Sequence, residues 1–199
     1  HHCIKFKKYQ KNQNLMLSFE RIAFEADRYN KSEEKKVIKL LDDHFDILSQ
    51  RDRIIRYGHR FWVLVPTKMT FKELNSIVKL KFFAQSFWES ISKNVRDTSI
   101  VIVTEYEDIE LRIKFGPVLK KSARNLIKFN HEDHLDPNSS NPNLYLGKIY
   151  EKYPDLALYM DIDIYKIDPN GVNMMEFYNK SVKACDYFVK KISEFTFQN

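Results

Sequence analysis

The sequence predicts an α+β fold, a single domain in which a mainly antiparallel sheet is covered by helices. Asp108–Phe115 alternates between apolar and charged residues, as a half-exposed antiparallel strand does. Thr70 and Asn173 each precede a glutamate by three residues, which is a start signal for a helix. Helical and strand-like segments alternate imperfectly, and some strands are adjacent in the chain. This order favours an α+β fold or a mixed α/β sandwich.

The composition is that of a globular protein. With 199 residues, of which 43% are apolar and 14% aromatic, the chain is long enough to bury a core and too apolar to be disordered. Its net charge of +6 comes from interspersed charges of both signs, so an anionic partner is allowed without being required. No apolar run approaches the roughly 18 residues of a membrane-spanning helix, so no membrane span is expected.

The two cysteines carry information about location. Cys3 and Cys185 are too few for a disulfide framework or a zinc set, which favours reduced thiols and a cytoplasmic protein. A lipidated Cys3 at the start of a mature lipoprotein is the alternative. Two histidines precede Cys3 and are interpreted as the remnant of an expression tag. No feature of the chain specifies a cofactor.

The N-terminal part divides into an arm and the start of the domain. Residues 1–14 are interpreted as the tag remnant with a flexible basic arm, and residues 15–199 as the single α+β domain. Residues 15–29 fit both a helix and a strand. A helix is expected from Ser32 to about Leu48, because Ser32 can cap it and two glutamates occupy its first turn.

The middle of the chain is predicted to contain a hairpin, a helix and a buried strand. Strands at 53–57 and 61–65 would flank a turn at Gly58–Arg60. A helix is expected over 70–92, opened by a capping box. The β-branched run 99–104 is expected to be a buried strand.

The second half of the chain is predicted to alternate strands and helices around one long loop. The strand at Asp108–Phe115 would end at Gly116-Pro117, and a basic helix would follow over 118–129. The later expected elements are a loop at 130–143, a short helix at 144–152, a strand at 156–167, a turn at 168–171 and a helix from Asn173 whose apolar stripe runs from Met175 to Phe195.

The most informative motif lies in the segment 52–66, DRIIRYGHRFWVLVP. Six of its residues stand in a distinctive order: Asp52, Arg56, Tyr57, Gly58, Phe61 and Pro66. This order resembles the signature hairpin of GGDEF domains, which are of the nucleotide-cyclase type. The resemblance implies a nucleotide-cyclase or ferredoxin-like core with a ligand site at the hairpin. The ligand-binding residues that it implies are Asp52, Arg56, Gly58, His59 and Arg60.

The motif departs from the family in the turn itself. The turn Gly58–Phe61 is one residue shorter than the family's and lacks its second glycine and its acidic pair. In the family the glycines let the backbone approach the nucleotide, and the acidic residues help to hold metal. His59 and Arg60 cannot replace a carboxylate on magnesium. The resemblance therefore implies a non-catalytic, GGDEF-like regulatory module that binds a partner protein or a guanine (di)nucleotide.

Two further functions are predicted from other residues. Asp161 and Asp163 would share one face of a strand, as the magnesium ligands of nucleotidyl-transfer enzymes often do, and this indicates a metal-dependent enzyme acting on nucleotides or nucleic acid. A basic group indicates a nucleic-acid-binding protein instead. Its residues are Lys120, Lys121, Arg124 and Lys128. A non-catalytic role is favoured over an enzymatic one.

Overall fold

The computed structural model describes nine ranges of the chain, and in the first three it describes the backbone alone. The ranges are 4–8, 13–17, 22–26, 35–36, 38–39, 56–84, 97–123, 153–167 and 173–198. Several predicted features lie outside the described residues: Asp52, Arg124, Lys128, the loop at 130–143, the helix at 144–152 and the turn at 168–171. No helix within the described ranges is long and apolar enough to cross a membrane.

The N-terminal residues form a small antiparallel sheet rather than a flexible arm. Its strands, in spatial order, are β1 (Ile4–Lys8), β2 (Gln13–Leu17) and β3 (Ile22–Ala26). The register places Leu15 opposite both Phe6 and Phe24. The expectation of a flexible arm over 1–14 is wrong for the residues in β1 and β2. In β1, lysines alternate with apolar residues, and this period of two is that of a strand. Within 15–29, the described residues are strands.

The main sheet contains four antiparallel strands in the order β4-β7-β6-β5. The strands are β4 (Arg56–Pro66), β5 (Ile100–Tyr106), β6 (Ile109–Leu119) and β7 (Leu156–Ile167). β5 and β6 are consecutive in the chain, whereas β4 and β7 are distant in sequence and pair along their whole length. Together with the helices that cover it, this sheet confirms the predicted α+β class.

Two helices begin at the residues that the sequence predicts. They are α1 (Phe71–Phe82) and α2 (Met174–Phe197). At α1, Thr70 Oγ1 accepts a hydrogen bond from Glu73 N–H at 3.3 Å, and Thr70 N–H donates to Glu73 Oε2 at 2.7 Å, which completes the capping box. At α2, Asn173 Oδ1 accepts from Glu176 N–H at 3.0 Å. α1 ends earlier than expected, because Phe83 is already extended.

Both helices pack on one face of the main sheet and form the core with it. The alternation predicted for Asp108–Phe115 is confirmed, since its apolar positions are 0–1% exposed and face the helices. The apolar stripe of α2 is shorter than predicted: Tyr178, Cys185 and Ile192 are buried, whereas Phe195 is 53% exposed. The core therefore lies between the helices and the centre of the sheet.

The described part of the predicted hairpin, residues 56–65, does not form a hairpin. Arg56–Pro66 is one strand, and every residue of it is in register with β7. Gly58 does not adopt a left-handed φ, so its backbone is that of an ordinary strand residue. A glycine flanked by two apolar runs is a turn signal in local sequence, but pairing with the apolar strand β7 decides the conformation here.

Two expectations about the neighbours of β6 are also wrong. The run 99–104 is not buried, because β5 lies at the edge of the sheet and Val103 is 66% exposed. β6 does not end at Gly116-Pro117 but continues to Leu119. The pairing of β6 with β5 stops at Phe115, before Pro117, whereas the pairing with β7 continues to Leu119.

The turn between β5 and β6 is tied to the rest of the fold by Asp108. Its carboxylate accepts hydrogen bonds from Lys166 Nζ at 2.6 Å and from Lys180 Nζ at 2.8 Å, which belong to β7 and α2. These bonds lower the pKa of Asp108 from its ordinary value of 3.8 to about 2. Because the folded pKa lies below the unfolded one, the carboxylate stabilises the fold above pH 3.8, and this contribution is lost as the pH falls towards 2.

Asp108→Asn is therefore expected to lower the urea midpoint of unfolding at neutral pH by a small amount, since the group is largely exposed. The difference from the wild type is expected to vanish as the pH approaches 2. Urea titrations of both proteins across this pH range test the expectation. Glu107→Gln is the control, because it removes an exposed carboxylate of the same turn that has no ion pair within the described ranges. A difference that persisted undiminished at low pH would contradict the role given to Asp108.

Candidate functional site on the open face of the main sheet

The candidate site is the face of the main sheet that points away from α1 and α2, here called the open face. Strand alternation decides which side chains it carries. Its polar part consists of Arg56, Arg60 and Trp62 from β4, Asp161, Asp163 and Tyr165 from β7, Glu110, Arg112 and Lys114 from β6, and Val101, Val103 and Glu105 from β5. The register arranges these side chains in rows that run across all four strands.

A small apolar cluster covers the opposite end of the same face. It consists of Leu64, Val118, Ala123, Ala157 and Tyr159. Ala123 belongs to the helical residues 120–123 that follow β6. Burial among these residues raises the pKa of Tyr159 to about 12. The part of the sheet available for contact is therefore the end that carries the charged rows.

Two arginines of β4 are held by two aspartates of β7. Arg60 Nε and Nη2 donate to Asp161 Oδ1 and Oδ2 at 2.7 and 2.6 Å, and Arg56 Nη2 donates to Asp163 Oδ2 at 2.9 Å. The hydrogen bonds to Asp161 raise the pKa of Arg60 above its ordinary value. The Arg60 contact is bidentate, which is the geometry that a planar guanidinium favours with a carboxylate. Both guanidinium groups are thereby fixed against the sheet.

Aromatic rings lie beside the two arginines. The guanidinium carbon of Arg56 lies 4.2 Å from the ring centre of Tyr165, and that of Arg60 lies 5.3 Å from the ring centre of Trp62. Trp62 is 42% exposed, although tryptophan is among the side chains that gain most from burial. The result is a continuous surface of paired charges and aromatic rings on two adjacent strands.

Asp161 and Asp163 share a face of β7, as their spacing predicts. Each of them is bound to a guanidinium group, so the contacts give both carboxylates a structural role in the sheet. Within the described ranges, no group of three or more His, Cys, Asp or Glu side chains is arranged to hold a metal ion. Binding of a divalent cation by this pair stays a prediction.

His59 lies on the other side of the sheet from Arg56, Gly58 and Arg60, the other members of the predicted ligand set that the structure describes. Arg56, Gly58 and Arg60 point to the open face, whereas the His59 ring faces α2. Its Nδ1 lies 2.8 Å from Ser181 Oγ, and Ser181 Oγ donates to the carbonyl oxygen of Tyr178 at 2.8 Å. The serine hydrogen is thus used, and the imidazole N–H is the donor in the first bond. The structure therefore divides the predicted ligand site between two faces.

The side chains that the structure describes on the open face carry no net charge. It has four cationic side chains, Arg56, Arg60, Arg112 and Lys114, and four acidic ones, Glu105, Glu110, Asp161 and Asp163. A surface that binds nucleic acid through phosphates needs an excess of positive charge. The described side chains of the open face provide no such excess of positive charge.

Of the four basic residues predicted to contact nucleic acid, the structure describes two. Lys120 Nζ lies 3.5 Å from Asp155 Oδ1, and Lys120 N–H donates to the Asp155 carbonyl oxygen at 2.9 Å. Lys121 is exposed. Arg124 and Lys128 lie outside the described residues, so the basic group as a whole stays a prediction.

The predicted site residues leave out most of the side chains on the open face, among them Trp62, Arg112 and Lys114. Trp62, Arg112 and Lys114 gain their significance only from the strands beside them. The period-two alternation in β6 was a usable signal, because it already assigns Arg112 and Lys114 to the solvent-facing side of that strand. For Trp62 the signal was masked by the predicted turn, which breaks the alternation of β4.

Comparison with known proteins assigns no family. No family model matches the chain, and searches of curated proteins and of solved structures found no match. The GGDEF resemblance therefore stays a prediction, and the turn on which its ligand site depended is absent. A function for the open face is accordingly inferred from its geometry and chemistry.

Proposed function

We propose that this chain is a non-catalytic interaction module that binds a partner protein through the open face. The proposal depends on one observation above all. Trp62 is 42% exposed beside Arg60, which Asp161 holds in place, and Asp163 holds Arg56 in the same way further along β4. A large aromatic side chain with fixed cationic neighbours on an otherwise well-packed sheet is typical of a binding surface.

The chemistry of the open face suits a protein partner. Tryptophan, tyrosine and arginine are the residue types enriched at the energetic centres of protein interfaces. Because the guanidinium groups of Arg56 and Arg60 are already fixed by carboxylates, binding would restrict their rotamers little further. The absence of net charge on this face favours a protein over a nucleic acid, whose affinity comes largely from phosphate contacts.

The described reactive groups support a non-catalytic role. Asp161 and Asp163 are bound to arginines. Ser181 is completely buried, and its hydroxyl hydrogen is donated to a backbone carbonyl. Burial raises the pKa of the Cys185 thiol to about 12, so the nucleophilic thiolate is scarce at neutral pH. Each of these groups has a structural use in the fold.

The proposal selects a protein partner over a guanine nucleotide. In β4, Gly58 pairs with Tyr165 of the neighbouring strand, and no turn presents its backbone to a ligand. Calorimetry with GTP and with cyclic di-GMP is therefore expected to detect no binding heat at millimolar ligand. Saturable heat with either nucleotide would contradict the choice of partner.

Trp62→Ala is expected to weaken partner binding by about thirtyfold, because truncation of a central aromatic residue costs about 2 kcal/mol or more. The tagged protein would first be used as bait in an extract of the cells that produce it, with quantitative mass spectrometry of the bound proteins. The dissociation constant of the purified partner would then be measured for the wild type and the variant.

The matched control is Lys190→Ala, a truncation on α2 of a side chain that is 73% exposed and remote from the open face. It is expected to leave the dissociation constant unchanged. A partner that bound Trp62→Ala as tightly as the wild type, or that was lost equally with Lys190→Ala, would refute binding through the open face.

A further inference from the structure

The edge strand β5 exposes an apolar strip on both sides of its backbone. Val101 and Val103 are 49% and 66% exposed on the open face, and Ile102 is 37% exposed on the helix side. At the end of β5, the ring of Tyr106 lies 5.6 Å from that of the exposed Tyr187 of α2. Within the described ranges, β6 is the only strand that pairs with β5. Its outer edge therefore has no partner among the described strands, and apolar side chains flank the backbone there.

The two edges of the main sheet differ in a way that singles out β5. The other edge strand, β4, carries Arg56, Arg60 and Pro66, and charged residues and proline are the features that prevent edge-to-edge pairing in natural sheets. β5 has the sequence IVIVTEY, without lysine, arginine, proline or glycine. An edge of this kind is a template for strand addition.

We infer that β5 pairs with β5 of a second copy of this chain, antiparallel about a two-fold axis at Val103, to form one continuous eight-stranded sheet. This inference goes beyond the proposed function, because it concerns the sheet edge and not the open face. The pairing would join Val103 with Val103, Ile102 with Thr104, Val101 with Glu105, and Ile100 with Tyr106. All seven residues of β5 would be paired.

This register keeps the faces of the two copies aligned. Every pair joins two odd-numbered or two even-numbered residues, so the open faces of both copies lie on the same side of the combined sheet. The two Val101 and two Val103 side chains would then form one apolar cluster across the new junction. A symmetric, self-complementary patch is what a two-fold interface requires.

Charge complementarity identifies a second copy as the occupant. Glu105 and Glu110 lie directly opposite each other on β5 and β6, which is unfavourable for like charges. Lys114 lies opposite Val101, and within the described ranges it has no ion pair. In the dimer, Lys114 would be in the same row as Glu105 of the second copy, about 10 Å away between Cα atoms and within reach of the two side chains. Lys114 of each copy would thus weaken the repulsion between Glu105 and Glu110 of the other copy.

Val103→Lys is expected to abolish the dimer, because it places two ammonium groups at the two-fold axis. Sedimentation equilibrium from micromolar to near-millimolar protein would measure the mass of the wild type and the variant. Ile167→Lys is the control, since it changes a 59% exposed side chain at the end of β7 and is expected to remain dimeric. A monomeric wild type, or a dimer that persists in Val103→Lys, would overturn the inference.

Cysteine cross-linking tests the register. In a Cys3→Ser background, Val103→Cys is expected to form an intermolecular disulfide, because residues opposite each other have Cα atoms about 4.5–5.5 Å apart. Val101→Cys is expected to form none, because the two copies of that residue would lie about 13 Å apart along the strand. Equal cross-linking of both variants would overturn the register. Partner binding through Trp62 is measured separately, so either proposal can fail without the other.

Discussion

Phe115→Ala is expected to lower the free energy of unfolding by about 3–5 kcal/mol, the largest effect of any single truncation considered for this fold. Phe115 is completely buried on the helix side of β6, and its ring centre lies 4.8 Å from that of Phe82 in an edge-to-face arrangement. Truncation leaves a cavity between the sheet and α1 that close-packed neighbours fill only in part. Urea titration, monitored by circular dichroism, measures the loss.

Phe195→Ala provides the matched comparison. Phe195 contacts the same Phe82 ring at 5.0 Å, also edge to face, but it is 53% exposed. Its truncation removes little apolar area from the core, and the expected loss is about 1 kcal/mol or less. Equal losses for the two variants would contradict the location of the core between the helices and the centre of the sheet.

Gly116→Ala is expected to lower the free energy of unfolding by about 1–3 kcal/mol. A Cβ atom at this position would clash with the carbonyl oxygen of Thr98 and lie 3.3 Å from the Cα atom of Ser99. These are backbone atoms at the entrance to β5, so no rotamer change relieves the clash. The backbone at Thr98 and Ser99 must instead move away from Gly116, at the point where β5 and β6 begin to pair.

Gly58→Ala is expected to change the free energy of unfolding in the opposite direction from Gly116→Ala. The nearest atom to a Cβ at Gly58 is Arg56 Nε at 3.9 Å, and the glycine lies within β4. Alanine there is expected to raise the free energy of unfolding by about 0.5–1 kcal/mol, because glycine in a strand interior has a larger entropic cost of folding. If residues 58–61 formed the turn that a GGDEF-like hairpin requires, with a left-handed glycine, alanine would destabilise the protein. The sign of the change in the free energy of unfolding therefore shows whether Gly58 lies in a strand or in a turn.

Local signals in the sequence sufficed for part of the fold. The caps at Thr70 and Asn173 depend on residues three positions apart, and both are confirmed. The alternation over Asp108–Phe115 and the apolar run of β7 likewise depend on neighbours in the chain, and both strands form. Elements of this kind are predictable because their determinants are local.

The rest of the fold depends on pairings between distant residues. In the local sequence Gly58 indicates a turn, and only its pairing with β7 shows that it lies in a strand. Likewise, the β-branched sequence of β5 does not indicate that this strand lies at the edge of the sheet. The candidate site has the same limitation. Arg60 and Asp161 are 101 positions apart, so the ion pair that defines the open face cannot be inferred from either segment alone. Sequence spacing correctly placed Asp161 and Asp163 on one face without revealing the arginines beside them.

The central claim, that the open face binds a partner protein, is tested most directly by site-specific photocrosslinking in the cells that produce the protein. A photoreactive phenylalanine derivative, which keeps a large aromatic ring at the position, would replace Trp62 in one variant and Lys190 in another, and the adducts would be compared after irradiation. If the open face binds a partner, position 62 gives a discrete covalent adduct that disappears when Arg60→Glu is added, and position 190 gives none of the same mass. Adducts of the same mass from both positions, or an adduct from position 62 that Arg60→Glu leaves unchanged, would contradict it.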